Sequence, residues 1–393
     1  MRLPFSHMFR RPPESKASRT GALIALFTEG RARWTPRDYA ELAREGYQKN
    51  PVAYRCVRMI AESVAGLPLV LTEGTRELDA HPLLDLLAKP NPRETRAGLF
   101  ESVAGHLLVA GNAYIELVSI AGSPRELHAL RPDRMKLVPG PEGWPEAYEY
   151  SVGGRSVRFS MQENLDRTPP PILHLSLFHP ADDHYGLSPL EAAAFAVDVH
   201  NAASAWNKAL LDNAARPSGA LVYSAAGGNL SEEQFERLKQ ELDENYRGAR
   251  NAGRPLLLEG GLDWKSLSLS PKDMDFIEAK HSAARDIALA FGVPPMLLGI
   301  PGDNTYSNYA EANRALYRQT VLPLAARLLE AIAAWLAPAF GQESGQVLAL
   351  VPDLDQVSAL AAERESLWSR VNAASFLSDD EKRAAVGYAP RTS

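Results

Sequence analysis

Apolar residues recur every three or four positions in some stretches of the chain and every second position in others, with polar, Gly- and Pro-rich breaks between them. In "NPVAYRCVRMIAESVAGLPLVL" the residues Val57, Ile60 and Val64 form one helical stripe. Asn50 is placed to cap that helix, Pro51 takes its first position, and Gly66 and Pro68 end it. "LFESVAGHLLVAGNAYIELVSI" reads as a helix that passes through Gly111 and Asn112 into a strand. "RMKLVP", "AYEYSV" and "ILHLSLF" read as further strands, so the region from Asn50 to Phe178 is expected to be α+β.

From Gly186 onward long helical patterns dominate. "SPLE" (Ser188 to Glu191) is a capping box with Pro at its first position, and Phe195, Val199, Ala203, Trp206 and Leu210 follow as the expected stripe. Ten of the 24 residues from Ala192 to Ala215 are Ala, which allows close helix neighbours along a rod about 36 Å long. An insert follows from 217 to 270: strand "GALVYSA", a helix opening at Ser231 with Gln234 closing its capping box, strand "PLLLE", then "DWKSLSLS". The insert's helix buries Phe235, Leu238, Leu242 and Tyr246 on this pattern, and with six acidic and three basic residues from Ser231 to Arg247 its outer face is acidic. A second long helix opens at Ser270 and Pro271, carries Ile277, Ala284, Ile287 and Phe291 on one face, and stops at Gly292 and Pro294. A third runs from about Thr305 to Leu336 with Pro323 inside it, where the ring should bend the rod, and Leu324, Leu328, Ile332 and Trp335 continue its stripe. The last 45 residues read as mostly helical, with a capping box at Ser378 to Glu381.

Composition narrows the classes. At 393 residues, 45% hydrophobic and 23% charged, the chain has the balance of a globular protein of two or three domains. A single cysteine, Cys56, excludes internal disulfides and cysteine-based zinc sites. "GALIALF" is far short of the roughly 20 apolar residues that span a bilayer, and no membrane role is expected. Residues 1–47, basic and Pro-containing at the start, are expected to form a flexible arm. The formal net charge of -6 lacks the basic footprint of tight duplex binding.

Candidate chemistry is sparse. His174, His179 and His184, with Asp182 and Asp183, offer the best metal cluster and hence a metal-dependent hydrolase as the rival reading, although the odd spacing of His174 and His179 turns them to opposite faces of a strand. No phosphate-loop, nucleophile-elbow or His-Glu-x-x-His pattern occurs, and Cys56 falls on a core-facing helix. "FGVPPMLLGIPGDNTYSN" (Phe291 to Asn308) is a Gly- and Pro-rich break feeding a helix, which could be an anion cradle. From Asp286 to Asn313 there is no Lys or Arg, which argues against a fixed phosphate site. No catalytic site, metal or cofactor is expected.

The chain resembles the phage portal protein family, the head-to-tail connectors of tailed phages, prophages and gene transfer agents. The matching stretches are "NPVAYRCVRMIAESVAGLPL", "HPLLDLLAKPN", "LLVAGNAYIEL", "LRPDRMKLVP", "HYGLSPLEAAAFAV", "NAARPSGAL", "GRPLLLEGG" and "AFGVPPMLLGI", followed by "YSNYAEANRALYRQTVLPL", in the family's order from about 48 to 335. The resemblance implies a portal fold and a ring, commonly of twelve copies, at one vertex of a virion or gene transfer agent capsid built in the bacterial cytoplasm. Double-stranded DNA is packaged and ejected through it. Its implied partners are the terminase large subunit, a head-completion adaptor and the major capsid protein, and a monomeric adaptor is the other rival. The implied parts are a wing (48–187), a first stem helix (188–216), a clip (217–270), a second stem helix (271–293), a tunnel loop with kinked wing helix (294–345) and a reduced crown (346–393). Gly299, Ile300, Pro301, Gly302, Asp303, Asn304, Thr305 and Tyr306 would lie at the tunnel loop near DNA, and Pro323 at the kink. Glu232, Glu233, Glu236, Arg237 and Glu241 would be the clip's docking candidates.

Overall fold

Asn50 caps the first long helix: its Oδ1 accepts from the amides of Val52 and Ala53, both at 3.0 Å, and Pro51 follows. This helix, α1 (Pro51–Ala65), buries Cys56, Val57, Ile60 and Val64 and ends at Gly66. The structure is a computed structural model that describes residues 38–388 apart from 75, 142, 162–168, 213–218, 224–230, 232, 234–235, 238–239, 241–261, 267–275, 302–305 and 341–346.

After α1 come β1 (Leu69–Glu73), β2 (Arg76–Leu78), α2 (Pro82–Ala88) and α3 (Arg96–Ala110). Six strands follow: β3 (Asn112–Ile120), β4 (Ser123–Leu130), β5 (Met135–Pro139), β6 (Pro145–Val152), β7 (Arg155–Ser160) and β8 (Ile172–Ser176). A single helical turn, Pro189–Ala192, precedes α4 (Ala194–Asp212), and Ser188 Oγ caps it by accepting from Glu191 N at 2.9 Å. Strands β9 (Gly219–Tyr223) and β10 (Leu262–Ser266) lead to α5 (Phe276–Phe291). Then α6 (Tyr306–Leu316) joins α7 (Leu322–Leu336) through a π-helical turn, Tyr317–Val321, and β11 (Leu348–Pro352), α8 (Ala361–Ala373) and α9 (Asp379–Val386) follow.

Among the described residues the sheets run in the orders β11-β1-β2, β4-β3-β8 and β5-β6-β7, with β9 and β10 as a separate pair, and every pairing is antiparallel. Antiparallel sheets beside helix-on-helix layers make the α+β class read from the sequence. One core joins α1, α3, β3, the turn before α4, α4 itself, α5, α7 and β11 through residues such as Ile60, Phe100, Ile115, Leu190, Val197, Ile287, Leu328 and Leu350. A smaller cluster, Tyr114, Leu130, Met135, Leu137, Tyr148 and Ile172, sits where β5 and β6 meet β3 and β8. The stretch Asn308–Ala339, with mean hydropathy 1.5, is long and apolar enough to cross a membrane. Here Leu328, Leu329, Ile332, Ala333 and Leu336 bury in the protein core instead.

Several expectations are corrected. The last part of the expected arm is helical, over Tyr39–Glu41 and Leu42–Gln48, because Leu42 is buried and Gly46 lies against Leu190. On α4 the stripe of Phe195 and Trp206 faces outward, 65% and 42% exposed, while Ala194, Ala196, Val197, His200 and Ala203 are buried. Small side chains let α4 approach α5 closely, so the aromatics are left outside. Ile277 at the start of α5 is likewise 64% exposed, whereas Ala284, Ile287 and Phe291 are buried as expected. Pro323 lies in the first turn of α7, and the irregularity falls just before it: Leu322 N donates to Tyr317 O, five residues back. Widening that turn removes the need for a donor at Pro323 and relieves its ring of the preceding carbonyls. The segment expected to be helical at the C-terminus opens with a strand, because β11 pairs with β1 from Leu69↔Pro352 to Glu73↔Leu348.

Candidate functional site

The break after α5 is built from the chemistry of its glycines and prolines. Gly292 takes φ +66° as the helix ends, and a Cβ there would come within 2.6 Å of Thr320 Oγ1. That hydroxyl donates to Gly292 O at 2.7 Å, so the π-helical turn holds the exit of α5. Pro294 then starts the short turn Pro295–Leu298, Gly299 caps it, and Ile300 is buried at 7% exposure with its amide on Pro295 O. Pro301 is exposed, and its carbonyl accepts from Arg285 Nη2 at 2.5 Å. Gly302, Asp303, Asn304 and Thr305 lie outside the described residues, and Tyr306 starts α6. Of the eight loop residues singled out in the sequence, the structure therefore gives Gly299, Ile300, Pro301 and Tyr306 a place.

The electrostatics of this stretch sharpen the sequence argument. Asp286 to Asn313 carries no cation, yet the fold brings Arg285 to its base. Both flanking arginines are engaged within the chain: Arg285 on Pro301 O, and Arg314 Nη1 on Glu311 Oε2 at 2.6 Å. Sequence spacing alone could not show that Arg285, sixteen residues from Pro301, folds back onto the loop.

The histidines do not converge. His174 on β8 is enclosed in the smaller cluster, its ring stacked on Tyr114 with centroids 4.4 Å apart. Its Nε2 donates to Asn112 Oδ1 at 3.0 Å and its Nδ1 accepts from the Tyr148 hydroxyl at 3.1 Å. Burial, with a smaller push from His184, lowers its pKa to about 4 and keeps the ring neutral. With both nitrogens occupied, the expected lead ligand of the rival hydrolase is a structural residue. His179 Nδ1 accepts from Ala181 N at 3.0 Å, and Asp182 Oδ1 accepts from the amides of His184 and Tyr185 at 2.8 and 2.9 Å, which closes a turn. Among the described residues no group of three His, Cys, Asp or Glu side chains is arranged to hold a metal.

Asn112 is the residue that sequence reasoning underrated. Its Oδ1 also accepts from Gly186 N at 2.9 Å and its Nδ2 donates to Ala110 O at 2.9 Å, so it pins the lead-in to α4 against β3. The preceding Gly111 has φ +71°, and a Cβ there would overlap the Gly186 carbonyl. The signal in the sequence was the Gly-Asn pair between a helical and an alternating pattern. A second buried polar joint ties α4 to α1: Asn50 Nδ2 lies 3.2 Å from His200 Nδ1 and donates to Asn201 Oδ1 at 3.0 Å, while Asn201 Nδ2 donates to Glu45 O at 2.9 Å. Of the docking candidates on the insert, Glu233, Glu236 and Arg237 are exposed and helical, and Glu232 and Glu241 fall outside the described residues.

Comparison with known proteins agrees with this geometry. The family model described as "Phage portal protein" matches residues 51–387. A chain in the neck of an empty gene transfer agent (GTA) particle, computed with C6 symmetry, is 56% identical, and the match covers 95% of this chain and 100% of that one with a TM-score of 0.72. A chain in the neck of the native GTA particle, computed with C12 symmetry, is 55% identical, covering 95% and 99%, with a TM-score of 0.70. A protein of Rickettsia bellii is 44% identical over 347 residues, which is 87% of this chain and 88% of its own.

Proposed function

Because the chain belongs to the phage portal protein family, we propose that it forms the ring at one vertex of a gene transfer agent capsid through which double-stranded DNA is packaged and ejected. The observation that carries this reading is the 56% identity to a GTA neck chain across 95% of this one. The ring is a dodecamer on this reading, supported by the C12 neck of the relative. The protein acts as conduit and docking platform without a catalytic site of its own, and the packaging motor is a separate terminase large subunit. The hydrogen-bonded His174 supports that, since it removes the one metal cluster the sequence offered.

The parts follow the elements. Residues 48–187 form the wing, with β11 from later in the chain completing its β1–β2 sheet, α4 and α5 form the stem, and 217–270 with the β9–β10 pair form the clip that meets terminase and later the head-completion adaptor. The clip's helix docks through Glu232, Glu233, Glu236, Arg237 and Glu241. The residues from Gly299 to Tyr306 form the loop beside DNA, and the segment from 346, tied at its start to the wing by the pairing of β11 with β1, forms the reduced crown. A channel that lets DNA slide must not grip its phosphates, because each Lys or Arg contact adds an electrostatic well for the backbone. The cation-free stretch and Arg314, neutralised by the Glu311 carboxylate, fit that requirement.

Electron micrographs of the purified protein test the reading, with rings around a central hole as the expected image. Asp303→Lys and Asn304→Arg should then slow or stall DNA packaging in particles while leaving rings intact. Unchanged packaging in both variants would remove the loop from the DNA path.

A further inference from the structure

The hairpin of α8 and α9 is pinned from behind by one carboxylate and encloses a cavity between its helices. Asp355, in the turn after β11, accepts from Arg364 Nε, from Trp368 Nε1 at 3.4 Å and from the Tyr388 hydroxyl at 3.1 Å. Arg364 Nη2 also donates to Val386 O at 2.8 Å, which ties the end of α9 to α8. The two aromatic rings are therefore held by their polar ends, edge to face with centroids 5.6 Å apart. Their apolar faces stay open to the cavity, which measures about 470 Å³ and has Val371 and Val386 as the rest of its apolar lining. Lys382 and Arg383 bring two cations to the same space, and no Asp or Glu lines it among the described residues. Lys382 Nζ donates to Asn372 O at 3.3 Å, and the Arg383 guanidinium stands 5.8 Å from the centre of the Tyr388 ring, so both charges are positioned.

We propose that this cavity captures the carboxyl terminus of a partner protein, its terminal carboxylate on Lys382 and Arg383 and its last side chain, large and apolar, on Trp368, Val371 and Val386. A terminal residue carries a charge and a side chain on the same carbon, which suits cations set at the edge of a small apolar space. At about 470 Å³ the cavity lies low in the range of roughly 300–1,000 Å³ typical of ligand pockets. It therefore suits one or two residues rather than a whole helix. The Lys382 ammonium has three donors, of which Asn372 O takes one, and Ser369 and Asn372 add a hydroxyl and an amide for the last peptide group. Aromatic rings already fixed by Asp355 lose little freedom when they are covered. The surroundings select a single carboxylate over a polyanion. From 347 to 388 there are seven Asp or Glu against four Lys or Arg, and Asp379, Asp380 and Glu381 immediately precede Lys382. A nucleic acid strand needs an extended basic footprint, which this segment lacks, whereas one carboxylate needs only the two local cations.

Fluorescence anisotropy on the full-length protein tests this, with a short Gly- and Ser-rich peptide labelled at its amino end and closing on Leu-Phe with a free carboxylate. The expected result is saturable binding below about 1 mM, weakened by about tenfold when the same peptide ends in an amide. That comparison leaves the protein unaltered, so it does not depend on a variant folding. Lys382→Gln should weaken the free-acid peptide to a similar degree, and Lys382→Arg should restore it. No saturation by the free-acid peptide up to about 1 mM would overturn the proposal, and so would equal affinity for acid and amide. Tighter binding of a labelled thymidine oligonucleotide would assign the cavity to nucleic acid and overturn it too. Rings and single chains separated by size exclusion are measured side by side. Binding by single chains alone would give the cavity to a neighbouring copy, again overturning the proposal. Each of these failures leaves the ring reading untouched, because electron micrographs test that reading without the peptide.

Discussion

Gly292→Ala and Thr320→Ala, made singly and together, measure whether the π-helical turn holds the exit of α5. Gly292 has φ +66°, a conformation that costs a residue with a Cβ about 1–2 kcal/mol. Its new methyl would also lie 2.6 Å from Thr320 Oγ1, so the threonine must rotate away and forfeit its hydrogen bond to Gly292 O, a net loss of about 1 kcal/mol. Gly292→Ala alone is therefore expected to cost about 2–3 kcal/mol. Thr320→Ala removes only the hydrogen bond and costs about 1 kcal/mol. In the double variant the bond is lost once, so the total stays at about 2–3 kcal/mol and the cycle shows a coupling of about 1 kcal/mol. The assay is urea unfolding at a single chain concentration, since assembly makes the midpoint depend on concentration. Costs that add to within about 0.3–0.5 kcal/mol would refute the contact, and with it the claim that the segment before Pro323 positions the base of the loop.

Further outcomes can be stated together. Burial holds His106 and His174 neutral with pKa values of about 4, below the ordinary 6.5 that the unfolded chain would show. The unfolded state then takes up protons first, so stability is full above pH 6.5 and falls as pH drops toward 4, by on the order of 3 kcal/mol per group. Urea midpoints across that window check this, and His174→Gln should flatten the slope; an unchanged slope would contradict the burial argument. Cys56 should react with a maleimide only as the chain unfolds, and rapid native labelling would place α1 wrongly. Gly111→Ala should cost at least twice as much as Gly122→Ala, about 1–2 kcal/mol for a positive φ alone, because only Gly111 meets another backbone; Gly122 has nothing within 4 Å of a Cβ. Asn50→Ala removes a helix cap and leaves His200 and Asn201 short of a partner, with an expected loss of about 2–3 kcal/mol, against almost none if the buried joint is absent.

The features legible in the sequence are those whose cause is local. Asn50 followed by Pro51, the Gly111–Asn112 turn and the Ser378–Glu381 box each carry their own hydrogen-bonding instructions, and the structure shows Glu381 N on Ser378 Oγ with Ser378 N on Glu381 Oε2. Periodicity found the helices but not their full orientation: of the stripe through Phe195, Ala203 and Trp206 only Ala203 is buried, and Ala194, Ala196 and Val197 face the core instead because α5 approaches that side. The pairing of β11 with β1 joins segments about 280 residues apart, for which a five-residue apolar run holds no address. The partners of His174 are illegible for the same reason, since Asn112 and Tyr148 come from other strands. At the loop the missing cations were visible, whereas the return of Arg285 to Pro301 was a tertiary fact.

The π-helical turn ahead of Pro323 also sets the phase between α6 and α7. Leu316 and Val321 are both buried although five residues apart, and Ala325, Leu328 and Ile332 continue at ordinary helical intervals. On a regular helix a five-residue step would swing the side chain about 140° around the axis. The wide turn absorbs the surplus residue and keeps one apolar seam. Removing a single residue from 317–321 would permit an unbroken α-helix without disturbing the seam of α7, but it would shorten the reach between α7 and the loop. Chain length in this short segment therefore tunes how far the start of α6 stands from the core, independently of the residues there.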